Sequence, residues 1–62
     1  MRQQIRDFLL IVPAANTDEI SEFLGLPRDA VQAELHKMDD DGDVFLSVGW
    51  YRLSEAMKQR LG

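Results

Sequence analysis

The run "DDDGD" at residues 39–43 is the densest group of side chains in this chain that could bind a metal ion. Carboxylate oxygens bind Ca²⁺, and an EF-hand loop needs them at positions 1, 3 and 5, with glycine at 6 and glutamate at 12. Placing Gly42 at position 6 puts Lys37 at position 1 and Val48 at position 12. The spacing therefore excludes a calcium loop of this type, and we predict no metal site.

Two other interpretations of the acidic run stay open. In the first, Gly42 ends a helix in a left-handed conformation and the aspartates form a solvated edge. In the second, the aspartates form an acidic docking patch. The favoured prediction is the helix end, because the residue pattern changes after Gly42 from helical spacing to a run rich in β-branched and aromatic residues.

Residue types that commonly carry catalysis are sparse. His36 is the only histidine, cysteine is absent, and neither a glycine-rich phosphate loop nor a serine in a nucleophile-elbow pattern occurs. The carboxylates lie at predicted helix starts or in the acidic run. We therefore expect no enzyme activity, no cofactor and no small-molecule substrate.

Length and charge limit the remaining functions. Sixty-two residues form one small domain, and a net charge of −4 argues against binding nucleic acid by bulk attraction, although one face could be basic. The longest apolar run, residues 8–15, is too short to span a membrane, and the first residues lack the features of a signal peptide. We expect a cytoplasmic protein without membrane contact.

Apolar spacing predicts three helices. Helix one covers about 2–12 and ends before Pro13, helix two covers about 18–24 with Thr17 as its cap, and helix three covers about 27–39. The predicted core-facing residues are Ile5, Phe8, Leu9, Val12, Ile20, Phe23, Leu24, Val31, Leu35 and Met38. Gly25 fits a left-handed position between helices two and three, which makes a tight join.

Residues 44–53 predict a two-stranded hairpin that turns at Val48-Gly49. If Leu46 pairs with Tyr51, one face carries Val44, Leu46, Tyr51 and Leu53, and the other carries Phe45, Ser47, Trp50 and Arg52. Ser54 then caps a short helix at about 55–61. The predicted fold is one α+β, mostly helical domain over residues 1–62.

This pattern resembles the winged helix-turn-helix DNA-binding domains of bacterial regulators, and its size is similar to small fimbrial-operon regulators and prophage proteins. The resemblance covers residues 17–54. Its pattern positions are Leu24, Gly25, Leu26, Val31, Leu35, Met38, Gly42, Val44, Tyr51, Leu53 and Ser54. It implies a three-helix core, a hairpin wing, and double-stranded DNA as the partner.

The resemblance implies that helix three reads DNA. Its groove-facing positions here are Pro27, Arg28, Asp29, Gln32, Ala33, His36 and Lys37, with Arg52 as the only cation near the wing tip. Gln32 suits adenine, and Arg28 suits guanine or phosphate. Asp29 departs from the family pattern, because its carboxylate faces repulsion by phosphate.

Phe45 and Trp50 have two possible roles. They pack against helix one or the C-terminal helix, or they form an exposed apolar patch that binds a protein partner or a second copy of the chain. The leading hypothesis is a small transcriptional regulator that binds DNA as a homodimer or beside a protein partner. The rival is a protein-interaction module or acidic regulator that does not bind DNA, and the arrangement of charge discriminates between the two.

Overall fold

The computed structural model describes residues 1–61, which form four helices and a two-stranded antiparallel sheet. The elements are α1 (Arg2–Ile11), α2 (Thr17–Leu24), α3 (Arg28–Asp40), β1 (Val44–Ser47), β2 (Trp50–Leu53) and α4 (Glu55–Leu61). The α+β, mostly helical class and the order of elements agree with the sequence prediction. Within residues 1–61, no helix is both long and apolar enough to cross a membrane.

The cap of α2 is Asn16, so the prediction of Thr17 as the cap is wrong. The Asn16 side chain accepts a hydrogen bond from the Glu19 amide at 2.8 Å, and the Glu19 carboxylate accepts one from the Asn16 amide at 3.3 Å. This reciprocal pair is a capping box. Thr17 is instead the buried first residue of the helix.

The core contains one apolar face from each element. Val31, Leu35 and Met38 of α3 are fully buried, as predicted. The other core residues are Ile5, Phe8, Leu9, Ala15, Ile20, Val44, Tyr51, Leu53 and Met57, with Val12, Leu24 and Leu26 packed at the margin. The core prediction is confirmed for α3 and for most of α1.

Phe23 is a correction to the predicted core, because 67% of its surface is exposed. Ile20 is at the centre of the apolar stripe of α2, and Phe23 is about 60° away around the helix, at the edge of the stripe. Its ring packs on the Phe8 ring with 4.5 Å between centroids, and it partly covers that buried side chain.

The join between α2 and α3 is short because Gly25 adopts a left-handed conformation, with φ of +66°, as predicted. The Leu26 amide donates to the Ser21 carbonyl at 3.1 Å, and the Ser21 hydroxyl donates to the Leu26 carbonyl at 2.6 Å. These two bonds fix the angle at which α3 leaves α2.

The hairpin has the predicted register, with Leu46 opposite Tyr51 and Val48-Gly49 in the turn. On its other side, β2 bonds to the connector between α1 and α2. The Ala15 amide donates to the Tyr51 carbonyl at 3.0 Å, and the Tyr51 amide donates to the Ala15 carbonyl at 2.8 Å. This bridge was not predicted, because "PAAN" has no strand pattern.

The acidic run ends α3 and turns into β1, as predicted, with Gly42 at φ of +80°. The prediction of a solvated edge is wrong for Asp43, which is buried. Its carboxylate accepts a hydrogen bond from Arg60 at 3.2 Å and lies 3.6 Å from the Arg2 guanidinium. Asp43 therefore ties both terminal helices to the start of the hairpin.

Candidate nucleic-acid interface

The packing of α3 against the core determines which face of the helix is exposed. Because Val31, Leu35 and Met38 point into the core, the opposite face of the helix is turned to solvent. This face carries the residues predicted for DNA contact, which are Arg28, Asp29, Gln32, Ala33, His36 and Lys37, with Pro27 just before the helix. Gln32 is partly buried and the others are exposed.

A groove of about 310 Å³ runs beside this face, between the N-terminal ends of α2 and α3 and the inner face of the hairpin. Arg28 and Gln32 line one wall, Leu46 and Tyr51 line the other, and Asp18 is at the α2 end. Leu46 shares the inner face with Tyr51 as predicted, but it stays 43% exposed and lines the groove.

Arg28 is paired with a carboxylate at the mouth of the groove. Its Nε atom donates to Asp18 Oδ1, and both side chains are more than half exposed. Asp29 follows Arg28 on the same exposed turn. The first turn of α3 therefore presents one cation between two carboxylates, and phosphate would have to compete with Asp18 for Arg28.

The middle of the α3 face carries the polar side chains of Gln32 and His36. The Gln32 amide nitrogen is 3.0 Å from the His36 Nε2 atom, one helical turn away. Both side chains have donors and acceptors that face solvent and could hydrogen-bond to base edges. Lys37 follows on the flank and forms no ion pair with residues 1–61.

Arg52 lies on the hairpin and not on the α3 face, in agreement with its predicted place near the wing tip and on the outer hairpin face. Arg52 alternates with the buried Tyr51 and Leu53, so its side chain is on the outer face of the hairpin. Its guanidinium carbon is 5.0 Å from the centroid of the Phe45 ring, a cation–π geometry. Arg28, Lys37 and Arg52 therefore lie on two surfaces and do not form the one continuous basic patch that would favour DNA binding over the rival function.

Phe45 and Trp50 remain exposed on that outer face, at 50% and 45% of their surfaces. The hairpin register places Phe45 opposite Arg52 and Trp50 opposite Ser47, so the two aromatic side chains are diagonal neighbours. Of the two roles left open by the sequence, the structure favours the exposed patch over packing against another helix.

Internal ion pairs involve most of the cations. Arg2 bonds to Glu34 at 2.9 Å and to Asp41 at 2.8 Å, and these hydrogen bonds raise the pKa of the Arg2 guanidinium. Lys58 lies 3.8 Å from Glu55, and Arg60 pairs with Asp43. Within residues 1–61, only Arg6, Lys37 and Arg52 form no ion pair.

Tyr51 lies between the groove and the core. Burial raises the pKa of its phenol, and the negative charge of Asp39 raises it further. Its backbone holds the Ala15 connector, and its side chain is part of the groove wall beside Arg28. Tyr51 is thus a buried residue that also forms part of the groove wall.

Sequence reasoning missed the Asp18–Arg28 pair and the Ala15 bridge. A signal for the first was present, since Asp18 is in the first turn of helix two and Arg28 in the first turn of helix three, which the tight join brings together.

Within residues 1–61, no three side chains from His, Asp and Glu meet as a metal site would require. Comparisons with protein families, curated proteins and solved structures find no match to this chain.

Proposed function

We propose that this chain is a winged helix-turn-helix protein that binds double-stranded DNA through α3. The observation that carries the proposal is the exposed polar face of α3, held beside a groove whose far wall is the hairpin. The short Gly25 join and the Ala15–Tyr51 bridge support the same assignment, because they make a helix-turn-helix unit with a sheet beside it.

In the proposed complex, α3 enters the major groove. Gln32 and His36 reach base edges, Arg28 leaves Asp18 to contact guanine or a phosphate, and Lys37 contacts the backbone. Each phosphate contact contributes a slope of about −0.9 to the plot of log affinity against log salt. Two cations on this face predict a slope of about −2, which is shallow for a DNA-binding protein.

The test is a titration of the protein with mixed-sequence duplex DNA at low and physiological salt, followed by amide NMR shifts. We expect the shifts to concentrate on residues 27–37. Arg28→Ala should weaken binding, Gln32→Ala should mainly relax base preference by about 1–3 kcal/mol, and Asp29→Asn should raise non-specific affinity by removing repulsion. Lys58→Ala on α4 is the matched control, because it removes an exposed cation distant in sequence from the α3 face.

A titration in which no α3 amide moves at low salt would refute the proposal. Equal weakening by Arg28→Ala and Lys58→Ala would also count against it, since it would indicate attraction to overall charge rather than to one face.

A second candidate function is protein binding without DNA, and the ion pairs favour it. Arg2, Arg28 and Arg60 are all neutralised by carboxylates of the same chain, which leaves an acidic protein with few free cations. This candidate would be supported if a basic protein partner shifts the amide signals of α3 while duplex DNA leaves them unchanged. Either function is binding rather than catalysis, and His36 bonds to Gln32 rather than to a nucleophile or carboxylate.

A further inference from the structure

The outer edge of β1 has free backbone hydrogen-bonding groups. The amide and carbonyl of Tyr51 both bond to Ala15, on the side of β2 that faces away from β1. Backbone groups alternate sides along a strand, so Leu46, opposite Tyr51, directs its own amide and carbonyl away from β2. No residue in 1–61 bonds to either group. The centre of β1 is therefore an open sheet edge.

This edge lacks the features that usually prevent edge strands from pairing with other chains. Residues 44–51, "VFLSVGWY", contain no charge and no proline, and the ladder has no bulge. Phe45 and Leu46 are each about half exposed, on opposite faces of the strand. Both the backbone and the side chains of β1 thus suit contact with another strand.

We propose that the occupant of this edge is a second copy of the chain, paired antiparallel through β1 about a two-fold axis at Leu46. An antiparallel pair of identical strands is self-complementary, so one residue supplies both the donor and the acceptor. The Leu46 amide of each copy donates to the Leu46 carbonyl of the other. Phe45 of each copy then lies opposite Ser47 of the other.

Charge favours this contact over the acidic surfaces of the chain. Each copy carries −4, so association through an acidic face would be repulsive. The carboxylate nearest to β1 in sequence, Asp43, is buried and paired with Arg60 and Arg2. An uncharged strand beside a neutralised carboxylate lets two copies approach at this edge.

The pairing has a geometric consequence. The two-fold axis of an antiparallel strand pair is perpendicular to the sheet, so the inner faces of both hairpins are on the same side of the joined sheet. Each α3 packs against its own β1 on that side. The exposed faces of the two helices are then related by the axis. This pairing needs no DNA and is therefore independent of the proposed DNA contact.

Cross-linking tests the register, because the chain has no cysteine of its own. Facing residues of a hydrogen-bonded antiparallel pair have Cα atoms about 5.5 Å apart, within the range of a disulfide. Under mild oxidation we expect Leu46→Cys to form a covalent dimer quickly. Val48→Cys is the control for random collision, since Val48 is 93% exposed but lies in the turn, and it should react several times more slowly.

Sedimentation equilibrium from micromolar to millimolar protein tests the association itself. Leu46→Pro removes the outward amide and keeps the bonds to β2, so we expect dimer affinity to fall about tenfold or more. Ile11→Ser, which changes an exposed apolar residue on α1, should leave it unchanged. Circular dichroism checks folding, and Leu46→Lys replaces Leu46→Pro if the proline variant unfolds.

Three results would overturn the proposal. They are a wild-type chain that stays monomeric throughout, a Leu46→Cys variant that cross-links no faster than Val48→Cys, and a dimer whose affinity both Leu46 variants leave intact. The last two would indicate association through a different surface.

Discussion

The hairpin turn contains a residue in an unfavourable conformation, and relieving it should stabilise the protein. Val48 has φ of +51° and Gly49 has φ of +80°, close to the values of a type I′ turn. A β-branched residue in this left-handed region is an outlier, and the region costs an L-residue about 1–2 kcal/mol. Asparagine tolerates the region better and is favoured before glycine in such turns.

The magnitude follows from the exposure of Val48. Because 93% of its surface faces solvent, Val48→Asn removes almost no packing, and relief of backbone strain dominates. We expect a gain of about 1 kcal/mol, which corresponds to a rise in Tm of about 4–8 °C for a domain of this size. Val48→Gly should gain less, because glycine adds conformational entropy to the unfolded chain.

The assay is thermal and urea unfolding followed by far-UV circular dichroism at low protein concentration. Gly49→Ala is the opposing control. A Cβ at Gly49 would meet no atom within 4 Å, so any loss of stability in that variant comes from its positive φ rather than from a clash. The reasoning is refuted if Val48→Asn leaves Tm unchanged or lowers it while Gly49→Ala is neutral.

Two further predictions concern the core. Leu35 is fully buried, so Leu35→Ala should cost about 2–5 kcal/mol, a large part of the roughly 3–9 kcal/mol expected for a chain of this length. Phe23→Ala should cost less although it removes more atoms, and equal urea midpoints for the two variants would contradict the assigned core. Because the pKa of Tyr51 is raised in the folded protein, the phenol loses its proton at a lower pH in the unfolded chain, at about pH 10. The stability associated with this phenol is therefore complete below that pH and is lost as the pH rises through the higher folded pKa. Tyr51→Phe should remove this alkaline loss, and parallel losses of stability in both proteins would contradict the assignment.

Local sequence signals predicted the elements that depend on neighbouring residues. The hairpin register follows from residue alternation and the Val48-Gly49 turn, and the α3 core face follows from the spacing of Val31, Leu35 and Met38. The predicted cap of α2 was wrong by one residue, because Asn16 and Thr17 are adjacent and both residue types favour the cap position.

Features that depend on distant residues could not be predicted from local patterns. Asp43 is buried, and its carboxylate lies close to Arg2 and Arg60, which come from opposite ends of the chain. Arg2 likewise bonds to Glu34 of α3, which is 32 residues away in the chain. The sequence contained the cations, and the fold determined which surface each one occupies.

The Asp18–Arg28 pair links the acidic charge of this chain to the specificity of its proposed DNA contact. Because both side chains are exposed, opening the pair costs only about 0–1 kcal/mol, so a well-placed guanine or phosphate can replace Asp18. A randomly placed phosphate binds Arg28 only slightly more strongly than Asp18 does, and Asp29 also repels the phosphate. In the proposed complex, we therefore expect the first turn of α3 to weaken non-specific binding more than specific binding. Removing one negative charge with Asp18→Asn should raise affinity for random duplex DNA more than affinity for a selected target, and an equal gain for both would show that Asp18 acts only through net charge.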